Sequence, residues 1–232
     1  MLSTDITTRL SAIRQRIAQA CHRCGRDPAS IRLIGVSKTR DADEIIAAYR
    51  AGLVDFGENY AQELVAKAKL VADANIAPRW HFLGGLQTNK VRSLIPVVSG
   101  IQTVDRPSLI KELAKRATQP LEVFVEVNVG DEQQKAGCHP KEAADLCRQI
   151  MEVPNLKLVG LMCVPPIANT AEATRPYFRS LREKRDELRA KLSISDNDTL
   201  SQLSMGMSAD FEVAIEEGAT TVRVGTDLFG PR

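Results

Sequence analysis

Lys38 is the residue of this sequence with the clearest chemical potential. It follows the short apolar segment Ile34–Val36, which has the character of a buried strand. Ligands of alternating α/β proteins bind at the carboxyl ends of strands, so an amine at this place can anchor an aldehyde cofactor covalently. A solvated lysine that simply ends the strand is the more common explanation of a single such residue. The choice therefore depends on the polar groups at other strand ends.

Two glycine turns near the end of the sequence are typical of an anion site. The first, Ser204–Ser208, leads directly into a predicted helix, so that Gly206 allows a close approach of the backbone and free N–H groups can face a ligand together with the serine hydroxyl. The second turn is Gly225-Thr226. Barrels frequently bind phosphate at the loops after strands seven and eight. Relief of strain explains either glycine alone, whereas both turns together with a strand-end lysine favour ligand binding.

Strands and helices alternate along the whole chain. An amphipathic helix through Ile6–Ile17 opens the sequence, and eight strand-helix units follow. We predict an α/β fold, a TIM-type (β/α)8 barrel preceded by an N-terminal helix, in one domain of residues 1–232. An open doubly wound sheet is the alternative, but the three-glycine dinucleotide pattern is absent after the first strand. The predicted strands are 32–37, 54–57, 80–83, 98–104, 123–129, 156–162, 200–204 and 221–224.

The predicted helices show recognisable start signals. Asp41 and Glu44 have the spacing of a capping box, and Asp105 is predicted to cap the helix that contains Pro107. Further helices are predicted at residues 59–72, 140–151, 171–192 and 209–217, and another is predicted to begin near residue 88. A barrel brings all strand ends to one rim, which would collect Lys38, Asn59, the 81–89 loop, Asn128, Met162, 204–208 and 223–226.

Composition excludes several classes of function. The 31 basic and 29 acidic residues give a net charge of +2 and are well mixed, so no nucleic-acid partner is predicted. No apolar stretch is long enough to cross a bilayer, and the odd number of five cysteines fits a reducing compartment. We therefore predict a cytoplasmic protein. Cys21 and Cys24 lack a second pair of ligands, so no metal site is predicted.

Several ordered motifs resemble one known family over nearly the whole chain. The sequence is similar to the pyridoxal phosphate (PLP) homeostasis proteins, the YggS or PROSC family, whose barrel resembles the N-terminal domain of alanine racemase. The resemblance implies a monomer with PLP as a Schiff base on Lys38, with Asn59 near the cofactor ring and Arg223 at the pyridine nitrogen. It also implies that Ser208, Gly225 and Thr226 contact the phosphate, with Ser204 as a further cofactor-binding residue. The motifs are Val36–Thr39, Phe56–Tyr60, Trp80–Phe82, Leu86–Lys90, Gly160–Met162, Leu203–Ser208 and Val222–Thr226.

The resemblance favours a binding role over catalysis. A guanidinium beside the pyridine nitrogen discourages protonation there and weakens the cofactor as an electron sink. A racemase needs a second acid or base from beyond the barrel, and Tyr60 and His81 are better explained by packing. We predict a protein of vitamin B6 homeostasis without catalytic residues, which holds PLP and can deliver it transiently to PLP enzymes. The alternatives are a weak PLP-dependent amino-acid racemase and a barrel that binds a phosphate ester non-covalently.

Overall fold

Eight parallel strands close into a barrel in the computed structural model, which describes residues 2–132 and 134–231. Each strand pairs with the next one along the chain, and the last pairs with the first, residues 221–224 lying beside 32–35. The predicted (β/α)8 barrel with a preceding helix is therefore confirmed. The strands are β1 (Arg32–Val36), β2 (Asp55–Glu58), β3 (Arg79–Phe82), β4 (Gly100–Val104), β5 (Leu121–Glu126), β6 (Leu156–Met162), β7 (Gln202–Ser204) and β8 (Thr221–Val224).

Helices surround the barrel and bury one apolar face each. On the fifth helix, Leu109, Ile110 and Leu113 are buried, as the spacing of three and four residues predicts. None of the described helices has the length and apolar character to cross a membrane. The helices are α1 (Leu2–Arg23), α2 (Ala42–Arg50), α3 (Ala61–Asp73), α4 (Val91–Leu94), α5 (Pro107–Arg116), α6 (Ala143–Met151), α7 (Arg175–Lys191), α8 (Phe211–Glu216) and α9 (Thr226–Phe229).

Alternation along the strands divides the core into two parts. Val123 and Val125 of β5 belong to the large apolar cluster that also contains the buried helix residues. Phe124 points to the opposite side, the barrel interior, and joins a small separate cluster with Val159 and Met162. Glu126, two residues further along β5, also faces the interior. The same alternation on β8 places Arg223 there as well. The barrel therefore carries ionisable groups inside, close to the carboxyl ends of its strands.

Helix α1 packs across the junction between the first and last units of the barrel. Its apolar side chains from Ile6 to Ile17 are buried, and it contacts α2, α8 and α9. On the same helix, Arg16 donates to Glu212 at 2.9 Å and to Asp227 at 2.5 Å. The helix thus ties both ends of the barrel sequence together.

Some predicted boundaries differ from the structure. The capping box of α2 is confirmed, since the N–H of Asp41 donates to Glu44 Oε2 at 3.2 Å. The cap predicted at Asp105 is wrong: α5 begins at Pro107 with Arg106 as its N-cap, and the Asp105 carboxylate pairs with that arginine instead.

The fifth strand ends earlier than predicted, at Glu126 and not at 129. Beyond it, Val127 forms a single parallel bridge with Cys138, and the N–H of Asn128 donates to the Cys138 carbonyl at 3.0 Å. The apolar alternation continues past the strand because this segment stays buried against its own loop. Hydrophobic pattern alone does not distinguish that arrangement from a longer strand.

Candidate functional site

The predicted site residues meet at the carboxyl end of the barrel, around a cavity of about 400 Å³. Lys38 comes two residues after β1 and is half-buried, and its amine makes no hydrogen bond or ion pair with any described residue. An unpaired amine at the wall of a cavity is available to a ligand. Six of the seven predicted cofactor-binding residues line this cavity, namely Lys38, Asn59, Ser208, Arg223, Gly225 and Thr226.

Ser204 is the predicted residue that does not line the cavity. It is fully buried, and its hydroxyl donates to Gln102 Oε1 at 2.6 Å. The same hydroxyl accepts a hydrogen bond from Arg223 Nη1 at 2.8 Å. Ser204 therefore acts on the cavity through the arginine that it orients, and a direct contact with a ligand has no support in this arrangement.

Arg223 carries a buried positive charge at the cavity wall. Its side chain is 4% exposed, and Nη2 donates to the Cys163 carbonyl at 2.9 Å while Nη1 binds Ser204. Both bonds fix the plane of the guanidinium. Burial lowers the pKa of Arg223 from its ordinary value, but a guanidinium stays charged at neutral pH because that value is so high.

The loop after β7 provides free backbone donors. Gly206 has a φ of +91°, and a Cβ at this position would lie 2.6 Å from Ala214 Cβ and 2.9 Å from Phe211 Cα. Only glycine fits there. The N–H of Met207 donates to Asp210 Oδ1 at 2.7 Å, whereas the N–H groups of Ser208 and Ala209 have no acceptor among the described residues.

The loop after β8 faces the same space. Thr226 begins α9, and its N–H also lacks an acceptor among the residues that the structure describes. A Cβ on Gly225 would lie 3.2 Å from the Val36 carbonyl oxygen, so the glycine keeps this loop close to β1. The two loops are joined, since the N–H of Asp227 approaches Ser208 Oγ at 3.4 Å. Three free N–H groups and two hydroxyls can therefore bind one anion between the loops.

Glu126 is a second buried ionisable group, close to Arg223, which the sequence did not single out as functional. Its Oε2 atom is buried and has no hydrogen-bond partner among the described residues. Loss of solvation, with a further contribution from the nearby Asp105, raises the pKa of Glu126 to about 7, and Arg223 opposes this rise. The alternating pattern of β5 places this carboxyl inside the barrel, but its lack of a partner was not visible in the sequence.

The other polar residues considered from the sequence lie elsewhere. His81 is buried and its Nε2 is 2.9 Å from Asp55 Oδ1, near the amino ends of the strands. The prediction that His81 is a buried strand residue is confirmed. The prediction that Tyr60 packs inside a helix is wrong, because Tyr60 precedes α3 and is 59% exposed. Asn128 closes its own loop by donating to the Glu132 carbonyl at 2.8 Å.

A larger cavity, of about 860 Å³, lies at the opposite end of the barrel. Its arginines already have acceptors: Arg32 pairs with Glu122 at 2.8 Å, and Arg79 pairs with Asp55 at 2.7 Å. Volume alone does not make a ligand site. The smaller cavity combines an unpaired amine with free N–H groups, so we take it as the functional one.

The chain is similar to known proteins over nearly its whole length. The sequence model of the family described as "Alanine racemase, N-terminal domain" matches residues 8–232. A protein of Aquifex aeolicus named "Pyridoxal phosphate homeostasis protein" is 46% identical over 227 residues, which are 97% of each chain. The solved structure of PipY from Synechococcus elongatus with PLP bound has a TM-score of 0.83 at 33% identity and covers 97% of this chain and 100% of that one.

Alanine racemase from Corynebacterium glutamicum is similar in fold. Its TM-score is 0.73 at 14% identity, and the match covers 99% of this chain but 61% of that enzyme. At this level of identity the likeness concerns the barrel and carries no statement about activity.

Proposed function

The chain belongs to the family of pyridoxal phosphate homeostasis proteins, and we propose that it serves PLP homeostasis by binding PLP in the carboxyl-end cavity with Lys38 as the covalent anchor. The single observation that carries the proposal is the unpaired Lys38 amine at the wall of a cavity that also presents three free backbone N–H groups. The proposal treats residues 1–232 as one PLP-binding domain.

The donor groups fit the cofactor. PLP, when bound, supplies an aldehyde that condenses with a primary amine, with loss of one water, and a phosphate dianion. The free N–H groups of Ser208, Ala209 and Thr226 suit the phosphate, because backbone donors at loop turns bind anions well. A cavity of about 400 Å³ lies in the usual range of about 300–1,000 Å³ for cofactor sites.

Each predicted residue has a defined task in this proposal. Lys38 must lose a proton to solvent before its nitrogen attacks, and the solvent-open rim allows that exchange. Arg223 holds a fixed positive charge at the wall, and the amide of Asn59 offers both a donor and an acceptor to the ring. Release of the cofactor requires water or another amine to reach Lys38 by the same opening.

The lining of the cavity supports binding without a strong catalytic activity. Among the described lining residues, the only side chains with acid or base groups are Lys38, Arg40 and Arg223, and an arginine does not give up its proton in a protein. Moving a proton on and off both faces of a substrate carbon needs two such groups. The racemase alternative therefore lacks a second acid or base among the described residues that line the cavity, since the buried Glu126 carboxyl near Arg223 is not one of them. Tyr60 is exposed outside it, and His81 is bound to Asp55 near the amino ends of the strands.

The proposal also places the protein in the cytoplasm as a monomer that passes PLP to other proteins. All five cysteines are free, and four of them are buried, as a reducing compartment permits. The mixed surface charge favours a small-molecule ligand over nucleic acid.

The absorbance spectrum of the purified protein tests the proposal most directly. We expect a visible band that disappears on borohydride reduction, with the resulting label mapped to Lys38. Lys38→Ala should lose the band and the label while keeping the fold, and Lys69→Ala, a surface lysine of α3, should keep both. Colour that survives Lys38→Ala would refute the anchor, and binding of PLP without any reducible label would favour the non-covalent alternative.

The racemase alternative requires a separate assay. The PLP-loaded protein is incubated with one enantiomer of an amino acid, and optical rotation is followed. We expect no sustained change. Continuous turnover would contradict the binding role and support the racemase alternative.

A further inference from the structure

The residues on both sides of Lys38 are held by side chains of α3. The Lys67 ammonium donates to the carbonyl oxygen of Ser37 at 2.6 Å, and the Glu63 carboxylate accepts the N–H of Thr39 at 2.5 Å. Glu63 and Lys67 also pair with each other at 2.6 Å. Because they are four residues apart on one helix, they share a face. A single helix therefore fixes the residue before the anchor and the residue after it.

The inner end of this cluster is the carboxylate of Glu58, the last residue of β2. It is fully buried, and Oε1 accepts hydrogen bonds from Lys67 Nζ at 2.8 Å and from Ser37 Oγ at 2.7 Å. Lys67 therefore donates to three oxygens, those of Ser37, Glu58 and Glu63, which uses all its protons. Buried charges are stabilised by hydrogen bonds, and here all three protons of Lys67 are used, whereas Oε2 of Glu58 has no hydrogen-bond partner among the described residues. Lys67 thus holds the surrounding residues in place and has no proton left to donate to a ligand.

The backbone beside Lys38 is strained. Thr39 has a φ of +63°, a left-handed conformation that β-branched residues rarely adopt. Such a residue persists only when its surroundings hold it, and residues of this kind concentrate at functional sites. Here Glu63 holds the N–H of Thr39, and the N–H of Arg40 donates to the Ser37 carbonyl at 3.0 Å. The turn 37–40 is therefore kept in one conformation by the α3 side chains.

We propose that Glu63 and Lys67 are positioning residues, which hold the turn 37–40 so that the Lys38 amine enters the cavity in the direction required for attack on an aldehyde. The inference rests on the proposed function and adds to it the groups that prepare the anchor. A lysine side chain has many rotamers, and ordering them costs conformational entropy. Fixing the backbone on both sides removes part of that cost before the ligand arrives.

Glu63 is the better residue for a test, because it is partly exposed whereas Lys67 and Glu58 are buried. Glu63→Ala removes the acceptor of the Thr39 N–H, and Glu63→Gln keeps an acceptor oxygen without the charge. Glu112→Ala is the matched control, since Glu112 also forms an ion pair four residues along a helix, with Arg116 on α5.

Two ligands separate positioning of the amine from damage to the cavity. PLP reports covalent binding, whereas 4-deoxypyridoxine phosphate, which lacks the aldehyde, reports the cavity and its phosphate site alone. For Glu63→Ala we expect PLP binding to weaken about tenfold, the factor that corresponds to one hydrogen bond of a charged group. Binding of the deoxy analogue should stay within about twofold. Glu63→Gln should recover most of the loss, and the control should change neither ligand.

A measurement without any B6 ligand separates this inference from the proposed function. The rates at which a soluble acylating reagent labels Lys38 and Lys69 are compared by peptide mass spectrometry, Lys69 being an exposed lysine of α3. The ratio of the two rates should change about threefold or more in Glu63→Ala, since the turn is released.

An unchanged labelling ratio, or equal weakening of both ligands, would overturn the positioning role. If wild type fails to form a reducible adduct at Lys38, the proposed function fails, while the labelling ratio still decides whether α3 positions the amine.

Discussion

Replacing Glu126 by glutamine is expected to change how the stability of the protein depends on pH. Glu126 is buried inside the barrel, its Oε2 has no hydrogen-bond partner among the described residues, and burial raises its pKa from 4.5 to about 7. The folded protein therefore binds a proton at this group more tightly than the unfolded chain does. Between about pH 4.5 and 7 the folded state holds more protons, so stability falls as pH rises through this range.

The size of the effect follows from the two pKa values. One pH unit corresponds to 1.36 kcal/mol, so a rise from 4.5 to about 7 represents ~3 kcal/mol of stability that is lost once the carboxyl ionises in the folded state. Glutamine has a similar shape and no ionisable proton. The free energy of unfolding of Glu126→Gln minus that of wild type should therefore rise by ~2.5 kcal/mol between pH 5 and pH 8.

Urea unfolding at several pH values measures this difference directly. The matched control is Glu183→Gln, which removes an exposed carboxyl from α7 and should give a difference that is flat with pH. A flat curve for Glu126→Gln would mean that the carboxyl is solvated or paired in the folded state. A difference that falls with rising pH would show that the ionised form is the one the barrel stabilises, and either result refutes the reasoning.

Two further substitutions test the walls of the cavity. Arg223→Met should lower the free energy of unfolding by about 2–4 kcal/mol, since it leaves the Ser204 hydroxyl and the Cys163 carbonyl without their donor. It should also raise the pKa of Glu126 further, because the arginine opposes that rise. Urea unfolding at several pH values checks both effects, and unchanged stability would contradict the structure. Gly206→Ala should lower the free energy of unfolding by about 2–4 kcal/mol, because the added Cβ meets Ala214 and Phe211 in a left-handed turn. It should also weaken the binding of a phosphate ester. An alanine variant with wild-type stability would show that the turn has another conformation.

The order of the strands could be predicted because it depends on local patterns. Apolar runs bounded by glycine and by capping residues mark each unit, and parallel strands with helical crossovers have few possible arrangements. The positions of Lys38, Arg223 and Gly225 at the rim followed from that order alone. Boundaries were less certain where a buried loop continued the apolar alternation, as after Glu126.

Contacts between distant side chains could not be predicted in the same way. Lys67 lies on a helix where a lysine usually faces solvent, yet it is buried against Glu58 and the Ser37 carbonyl. Its place depends on how far α3 is inclined over the barrel, which no local pattern encodes. Ser204 was predicted to bind the cofactor, but strand alternation alone could not show that Arg223 lies over its hydroxyl.

The packing of α1 has a consequence for how the protein folds. Its Arg16 binds Glu212 and Asp227, partners that lie 196 and 211 residues later in the chain. During synthesis the helix leaves the ribosome well before its acidic partners, which are 196 and 211 residues further along the chain. Contacts of such long range form slowly because a very large loop must close. The contacts that join α1 to the last units of the barrel can therefore form only after residues 212–227 have been made, and until then the apolar side of the helix has no native surface there to pack against.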